Sequence, residues 1–217
     1  MEIKALIFDM DGLILDSEKI VQRAWTYVGE QLGYGDIGQH IYGLLGSNVV
    51  RRKAYFEETF GKDFPMDQFN KLTRAKFWEI TEREGLDLKP GVLELMEYAK
   101  KRGMKRVVCT SSRREHATKV LTDAGVMKYL DGCIFGDMVE HAKPDPEIYR
   151  KAGEIAEIAP KNCLALEDAP AGIRSSYAAG MNPVVVPDLL EPTEEILKLC
   201  CFRADTLFDV IKFLEDQ

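Results

Sequence analysis

Two aspartates one residue apart, Asp9 and Asp11, end the apolar run Ile3 to Phe8 and lead directly into Gly12. A carboxylate can attack an electrophile, exchange a proton or bind a hard cation. The run before them is short and closed by turn-permissive residues, which reads as a strand buried on both faces of a parallel sheet. Ligands of such sheets sit outside the carboxyl ends of the strands, so both aspartates stand where chemistry happens. Gly12 lets backbone and ligand approach closely. The alternative at this point is a strand that simply stops at two solvated aspartates.

Three later stretches also carry polar residues at element ends. Arg106 to Cys109 leads into Thr110, Ser111 and Ser112. Hydroxyls and free N–H groups at a helix start suit phosphate, although Ser112 with Glu115 also matches a capping box that serves only its helix. Before another helix stand Lys143, Pro144, Asp145 and Pro146. Asp145 as N-cap and Pro146 as the first helical residue account for that start. They leave Lys143 unexplained, unless it is an ordinary solvated loop lysine. His141, close by, is expected to be a loop histidine. Leu164 to Leu166 runs into Glu167 and Asp168, followed by Pro170 and Gly172 and then by Ala178, Ala179 and Gly180, small enough for a helix to lie close on the sheet. An acidic pair is also a common charge at a helix N-terminus. Taken in order, these strand ends put carboxylates, a hydroxyl and an ammonium into one crevice.

The elements that must position them follow from periodicity. Ser17 to Leu32, Asn48 to Phe60 and Asp67 to Glu84 read as helices with no strand between them. Lys89, Pro90 and Gly91 mark a break. Beyond it strands at 106–110, 132–135, 163–166 and 183–186 alternate with helices at 91–102, 113–124, 147–157 and 170–179, and a last helix covers 206–214. Such alternation predicts an α/β, doubly wound parallel sheet of Rossmann-like type. Residues 1–15 and 89–217 form the core domain. Residues 16–88 form an inserted all-helical cap domain, joined by linkers near Leu15 and Leu88, and a lid hinged over the strand ends is the expected arrangement.

The 217 residues carry 46% hydrophobic side chains, enough for a sizeable core, and a net charge of −7. That charge disfavours nucleic-acid binding, which runs on basic surface. It also repels an anionic substrate at long range, so positive charge must be concentrated at the site. No apolar run approaches the roughly 20 residues that span a bilayer, and the N-terminus lacks signal-peptide features. The cysteines Cys109, Cys133, Cys163, Cys200 and Cys201 show no metal-ligand spacing and fit a reduced, cytoplasmic compartment.

In four ordered motifs the chain resembles the haloacid dehalogenase-like superfamily, and within it the β-phosphoglucomutase-like phosphatases with a helical cap. They are Asp9-Met10-Asp11-Gly12-Leu13, Thr110-Ser111-Ser112, Lys143-Pro144-Asp145-Pro146 and Glu167-Asp168-Ala169-Pro170-Ala171-Gly172. Ala178-Ala179-Gly180-Met181 and Val186-Pro187-Asp188 are also similar to the family, and the likeness runs over essentially the whole chain. It implies a Mg²⁺-dependent phosphatase acting on a small phosphorylated metabolite, a sugar or nucleoside monophosphate, with no obligate protein partner. Asp9, ionised at pH 7 if it keeps the ordinary pKa of about 3.9, is the implied nucleophile. Asp11 is the implied acid and base. Thr110, Ser111 N–H and Lys143 hold the phosphoryl oxygens. Asp9, Asp168, the Asp11 backbone carbonyl and Glu167, directly or through water, are the implied Mg²⁺ ligands.

The alternative is a sugar-phosphate mutase of the β-phosphoglucomutase type. Those enzymes carry a histidine in the first cap helix, where this chain has Val21, and an arginine near Val49, although Arg51 and Arg52 are close. Dehalogenases lack the second aspartate, present here as Asp11, and a non-enzymatic phosphate-binding regulator would have no use for the pair. Trp25, Tyr27, Tyr42, Arg51, Arg52, Arg74 and Trp78 are candidate cap contacts to a leaving group. Each otherwise reads as core or solvated face.

Overall fold

The computed structural model describes residues 2–44 and 49–217, with the side chain of Val49 left out. Its centre is strand β1 (Ala5–Phe8), every residue of which is buried. Four strands follow in chain order: β2 (Lys105–Cys109), β3 (Gly132–Ile134), β4 (Cys163–Glu167) and β5 (Asn182–Val185). With β6 (Phe202–Arg203) they form one parallel sheet ordered β3-β2-β1-β4-β5-β6. The chain leaves β1 towards β2 and later returns to its other side as β4. The β1/β4 boundary is therefore the switch point at which such sheets open a crevice.

Side chains alternate across β1, as the strand period of two requires. Leu6 and Phe8 join a core with α4 (Val92–Lys101), α5 (Arg114–Asp123) and α9 (Leu207–Glu215). Ala5 and Ile7 face the opposite layer, with Ile148, Tyr149, Ala152 and Ala156 of α6 (Glu147–Ala156). Each large apolar side chain so buried contributes about 1.5–3 kcal/mol. Helices α7 (Pro170–Ala178) and α8 (Glu194–Leu197) meet Val185 through Ile173 and Ile196.

Between β1 and α4 come α1 (Glu18–Gln31), α2 (Val49–Phe60) and α3 (Met66–Glu84). Trp25, Phe56, Phe64 and Phe69 form an aromatic cluster among them, with Trp25 edge-on to Phe56 at 5.4 Å and to Phe69 at 5.7 Å. The two crossings into this helical segment run side by side. Leu15 and Leu88 form an antiparallel bridge, flanked by Asp16 N–H to the Asp87 carbonyl and Lys89 N–H to the Ile14 carbonyl, both 2.9 Å. The apolar packing is continuous across them, since Ile20, Ala24, Phe77 and Ile80 touch the main core.

Several boundaries differ from the sequence reading. Strand β1 begins at Ala5 rather than Ile3, because Lys4 bonds to the Asn162 carbonyl outside the ladder. Asn48, predicted to open the second helix, lies outside the described residues. Strand β6 and helix α8 were not predicted: two residues on a sheet edge and a single helical turn leave no periodic signal.

Candidate active site

Strand β1 delivers Asp9 to the switch point, where its N–H bonds to the Leu166 carbonyl of β4 at 3.0 Å. Asp9 Oδ1 accepts from the Lys143 ammonium at 2.5 Å, and the same ammonium donates to Glu167 Oε1 at 2.6 Å and to the Cys109 carbonyl at 3.3 Å. All three of its donors are used. Lys143 is therefore a buried, fixed counter-charge rather than a solvated loop lysine. Tyr149 of α6 donates its hydroxyl to Glu167 Oε1 as well. Gly172 makes room for that carboxylate: a Cβ there would lie 1.8 Å from Oε1.

Asp11 is held from two directions. Ser17 Oγ donates to its Oδ1 at 2.8 Å and Ser112 Oγ to its Oδ2 at 2.9 Å. The expected capping box of Ser112 and Glu115 is not formed; Arg113 flanks the helix and the Ser112 hydroxyl serves Asp11 instead. The Ser112 N–H donates to Thr110 Oγ1 at 3.0 Å. Asp145 does satisfy a helix-start N–H, that of Glu147 at 2.9 Å, but Pro146 precedes the helix rather than opening it. His141 is an exposed loop histidine beside Glu147. Gly12, at φ +81°, passes so close to Asp168 that a Cβ would sit 2.4 Å from its Oδ2.

The electrostatics of this cluster are unbalanced. Three buried carboxylates, Asp9, Glu167 and Asp168, face one buried ammonium. Burial, only partly offset by Lys143 and reinforced by Glu167 and Asp11, pushes the Asp9 carboxyl up to about 8. The ordinary carboxylate value assumed from sequence therefore does not describe Asp9. Burial, then Asp9 and Glu167, pushes Asp168 well up too. Burial also works against the charge of Lys143, but Asp9 and Glu167 more than restore it and hold its pKa above the ordinary value. Oxygens of Asp9, Glu167 and Asp168 lie within 4.8 Å of one another. A hard divalent cation fits an all-oxygen donor set with excess negative charge.

A cavity of about 350 Å³ opens from this cluster towards the helical segment, with Asp9, Asp11, Thr110, Ser111 and Asp168 in its floor. Of the cap candidates, Trp25, Arg52 and Arg74 line it. Tyr27 and Tyr42 are exposed, and Trp78 packs on Phe77 and His116. Val21 forms part of the wall, as does Glu18. Burial and then the charges of Asp11, Asp188 and Asp9 raise Glu18 to about 8, against the pull of Arg52. Sequence reading missed Ser17, Glu18 and Tyr149. Ser17 and Tyr149 fit helix ends and core faces, and nothing local in Glu18 tells it from a solvated first-turn charge.

Residues 3–180 match the model of the family described as haloacid dehalogenase-like hydrolase. The chain belongs to that family. The protein YhcW of Bacillus subtilis is 33% identical over 195 residues, 88% of this chain and 86% of that one. A phosphorylated carbohydrates phosphatase of Thermotoga maritima is 28% identical, covering 83% of each. Among solved structures, CbbY from Rhodobacter sphaeroides in complex with phosphate superposes with a TM-score of 0.82 at 25% identity, over 96% of both chains. The chain is an enzyme of the phosphoric monoester hydrolase class.

Proposed function

We propose that this family member is a Mg²⁺-dependent phosphatase that hydrolyses a small sugar or nucleoside monophosphate through an aspartyl-phosphate on Asp9. The observation that carries this reading is the meeting of Asp9 at the switch point with Lys143 and Asp168, below a cavity that Asp11 also faces. An Asp9 oxygen attacks phosphorus while the bond to the leaving oxygen breaks, and Asp11 gives that oxygen its proton. Asp11 then takes a proton from the water that attacks the aspartyl-phosphate. Inorganic phosphate leaves and the Asp9 carboxylate is restored. The Ser17 and Ser112 hydroxyls orient Asp11 for both transfers. Thr110 and the Ser111 N–H hold the phosphoryl oxygens as charge spreads over them, and Lys143 joins them by giving up its longest bond, the 3.3 Å contact to the Cys109 carbonyl.

Asp9, Asp168, the Asp11 backbone carbonyl and Glu167 would hold Mg²⁺, which neutralises charge so that an anionic nucleophile can meet an anionic ester. Residues 16–88 act as a cap over the 1–15 and 89–217 core, a reading supported by their paired crossings. A cytoplasmic setting, with no membrane or nucleic-acid partner, is supported by five free cysteines and the charge of −7. Among the described residues no helix is long and apolar enough to cross a membrane.

The test is phosphate release from a panel of phosphorylated metabolites. EDTA abolishes it, Mg²⁺ restores it and Ca²⁺ does not, since Ca²⁺ prefers about 6–8 oxygens in looser geometry. Full turnover in EDTA refutes the cation roles of Asp9 and Asp168. Arg52 in the cavity favours a mutase instead. Against it, Val21 gives an apolar wall where a mutase carries a titratable histidine. β-Glucose 1-phosphate should therefore yield glucose and phosphate or remain intact, and accumulation of glucose 6-phosphate with a bisphosphate primer would decide for the mutase.

A further inference from the structure

Asp188 stands in the loop after β5, beside the acidic strand end of β4, and has no part in the chemistry above. Its side chain is only 3% exposed. One oxygen, Oδ1, accepts from the Lys89 ammonium at 2.6 Å. The other, Oδ2, is buried without a hydrogen-bond partner. A buried carboxylate oxygen left unsatisfied is costly and calls for an unseen donor. The direction it faces is fixed by Gly12. The point where a Gly12 Cβ would stand lies 3.3 Å from Asp188 Oδ2 and 2.4 Å from Asp168 Oδ2. The two oxygens flank the same spot, within the span of one bridging water. Among the described residues no side-chain donor lies as near to that spot as these two oxygens.

We propose that Asp188 is a positioning residue for the divalent cation, its Oδ2 accepting a hydrogen bond from water that the ion holds beside Asp168. Lys89 occupies Oδ1 and so leaves Oδ2 turned to the site. Mg²⁺ keeps several of its waters when bound by few carboxylates, so an acceptor at this place has a donor to receive. This rests on the reading of Asp9 and Asp168 as cation ligands.

Direct Mn²⁺ binding to the whole protein, followed by electron paramagnetic resonance without substrate, tests it independently of turnover. Asp188→Asn keeps the shape and removes the charge; it should weaken Mn²⁺ binding about 10–100-fold, the usual effect of losing an outer partner of a metal site. Lys89→Met breaks the same ion pair but leaves the carboxylate, and should bind Mn²⁺ at least as well as the unmodified protein. Thermal unfolding of both variants checks that they fold. Equal weakening in the two variants would assign the effect to the ion pair and overturn the proposal. Unchanged affinity in Asp188→Asn would overturn it while leaving the cation reading intact. Mn²⁺ binding that Asp168→Ala does not disturb would overturn both.

Discussion

Removing Lys143 should destabilise the protein more than any surface change, and in a pH-dependent way. Lys143→Met leaves Asp9 and Glu167 buried without the ammonium that lies 2.5 and 2.6 Å from them. Breaking a buried ion pair by deleting one partner costs about 3–5 kcal/mol. At roughly 2–4 °C per kcal/mol for a chain of this size, Tm should fall by about 6–20 °C. The sign with pH follows from Asp9, whose pKa burial raises from 3.8 to about 8. The folded state binds more protons than the unfolded chain over that window, so this group's contribution to stability declines as pH climbs through it. Lys143 opposes the shift; without it Asp9 holds its proton to still higher pH. The deficit of the variant should therefore widen above pH 8, by up to about 1.4 kcal/mol per pH unit. Thermal unfolding in EDTA at pH 6, 7, 8 and 9 measures both quantities. A Tm loss under about 4 °C, or a deficit that narrows from pH 7 to 9, would show that Lys143 does not neutralise these carboxylates.

Asp11→Asn keeps the nucleophile but removes the proton carrier, worth about 10²–10⁴-fold; p-nitrophenyl phosphate should give a burst of one p-nitrophenolate per site and then stall, while a sugar phosphate loses the burst too. Equal loss of burst rate for both esters in rapid quench would show that Asp11 is not the general acid. Gly172→Ala drives a methyl group into a carboxylate pinned by Lys143 and Tyr149. Overpacking of this kind costs about 1–3 kcal/mol, and displacement of Glu167 should also weaken Mn²⁺ binding. An unchanged Tm and metal affinity would mean that Glu167 has room to move.

The sheet and the floor of the site were legible because buried parallel strands advertise themselves as apolar runs, and each run announces its carboxyl end. Asp9, Thr110, Glu167 and Asp168 were found that way. Lys143 was left unexplained by its proline-rich surroundings, and only the resemblance of the ordered motifs assigned it to the site. What stayed hidden depends on contacts distant in sequence. Ser112 matches a capping box four residues long, yet its hydroxyl belongs to Asp11, 101 positions earlier. Tyr149 reads as helix core until its hydroxyl is seen on Glu167. Among the cap candidates the decision was one of helical phase. Arg51 and Arg52 are neighbours in sequence, but successive residues point about 100° apart around a helix, and Arg52 lines the cavity.

The bridge between Leu15 and Leu88 has a consequence for how such a chain can be remodelled. The core gives up its thread and takes it back at neighbouring points, so it demands little of whatever is spliced between them. An insert must begin and end side by side and cover the apolar surface that Ile20, Ala24, Phe77 and Ile80 meet; beyond that its length is free. Closing a loop grows more costly only slowly with the number of residues in it, by about 0.6 kcal/mol per doubling. Different inserts could therefore be exchanged at this junction while the strand ends beneath keep their register. In such exchanges the strand-end carboxylates travel with the sheet, and the facing wall of the cavity travels with the graft.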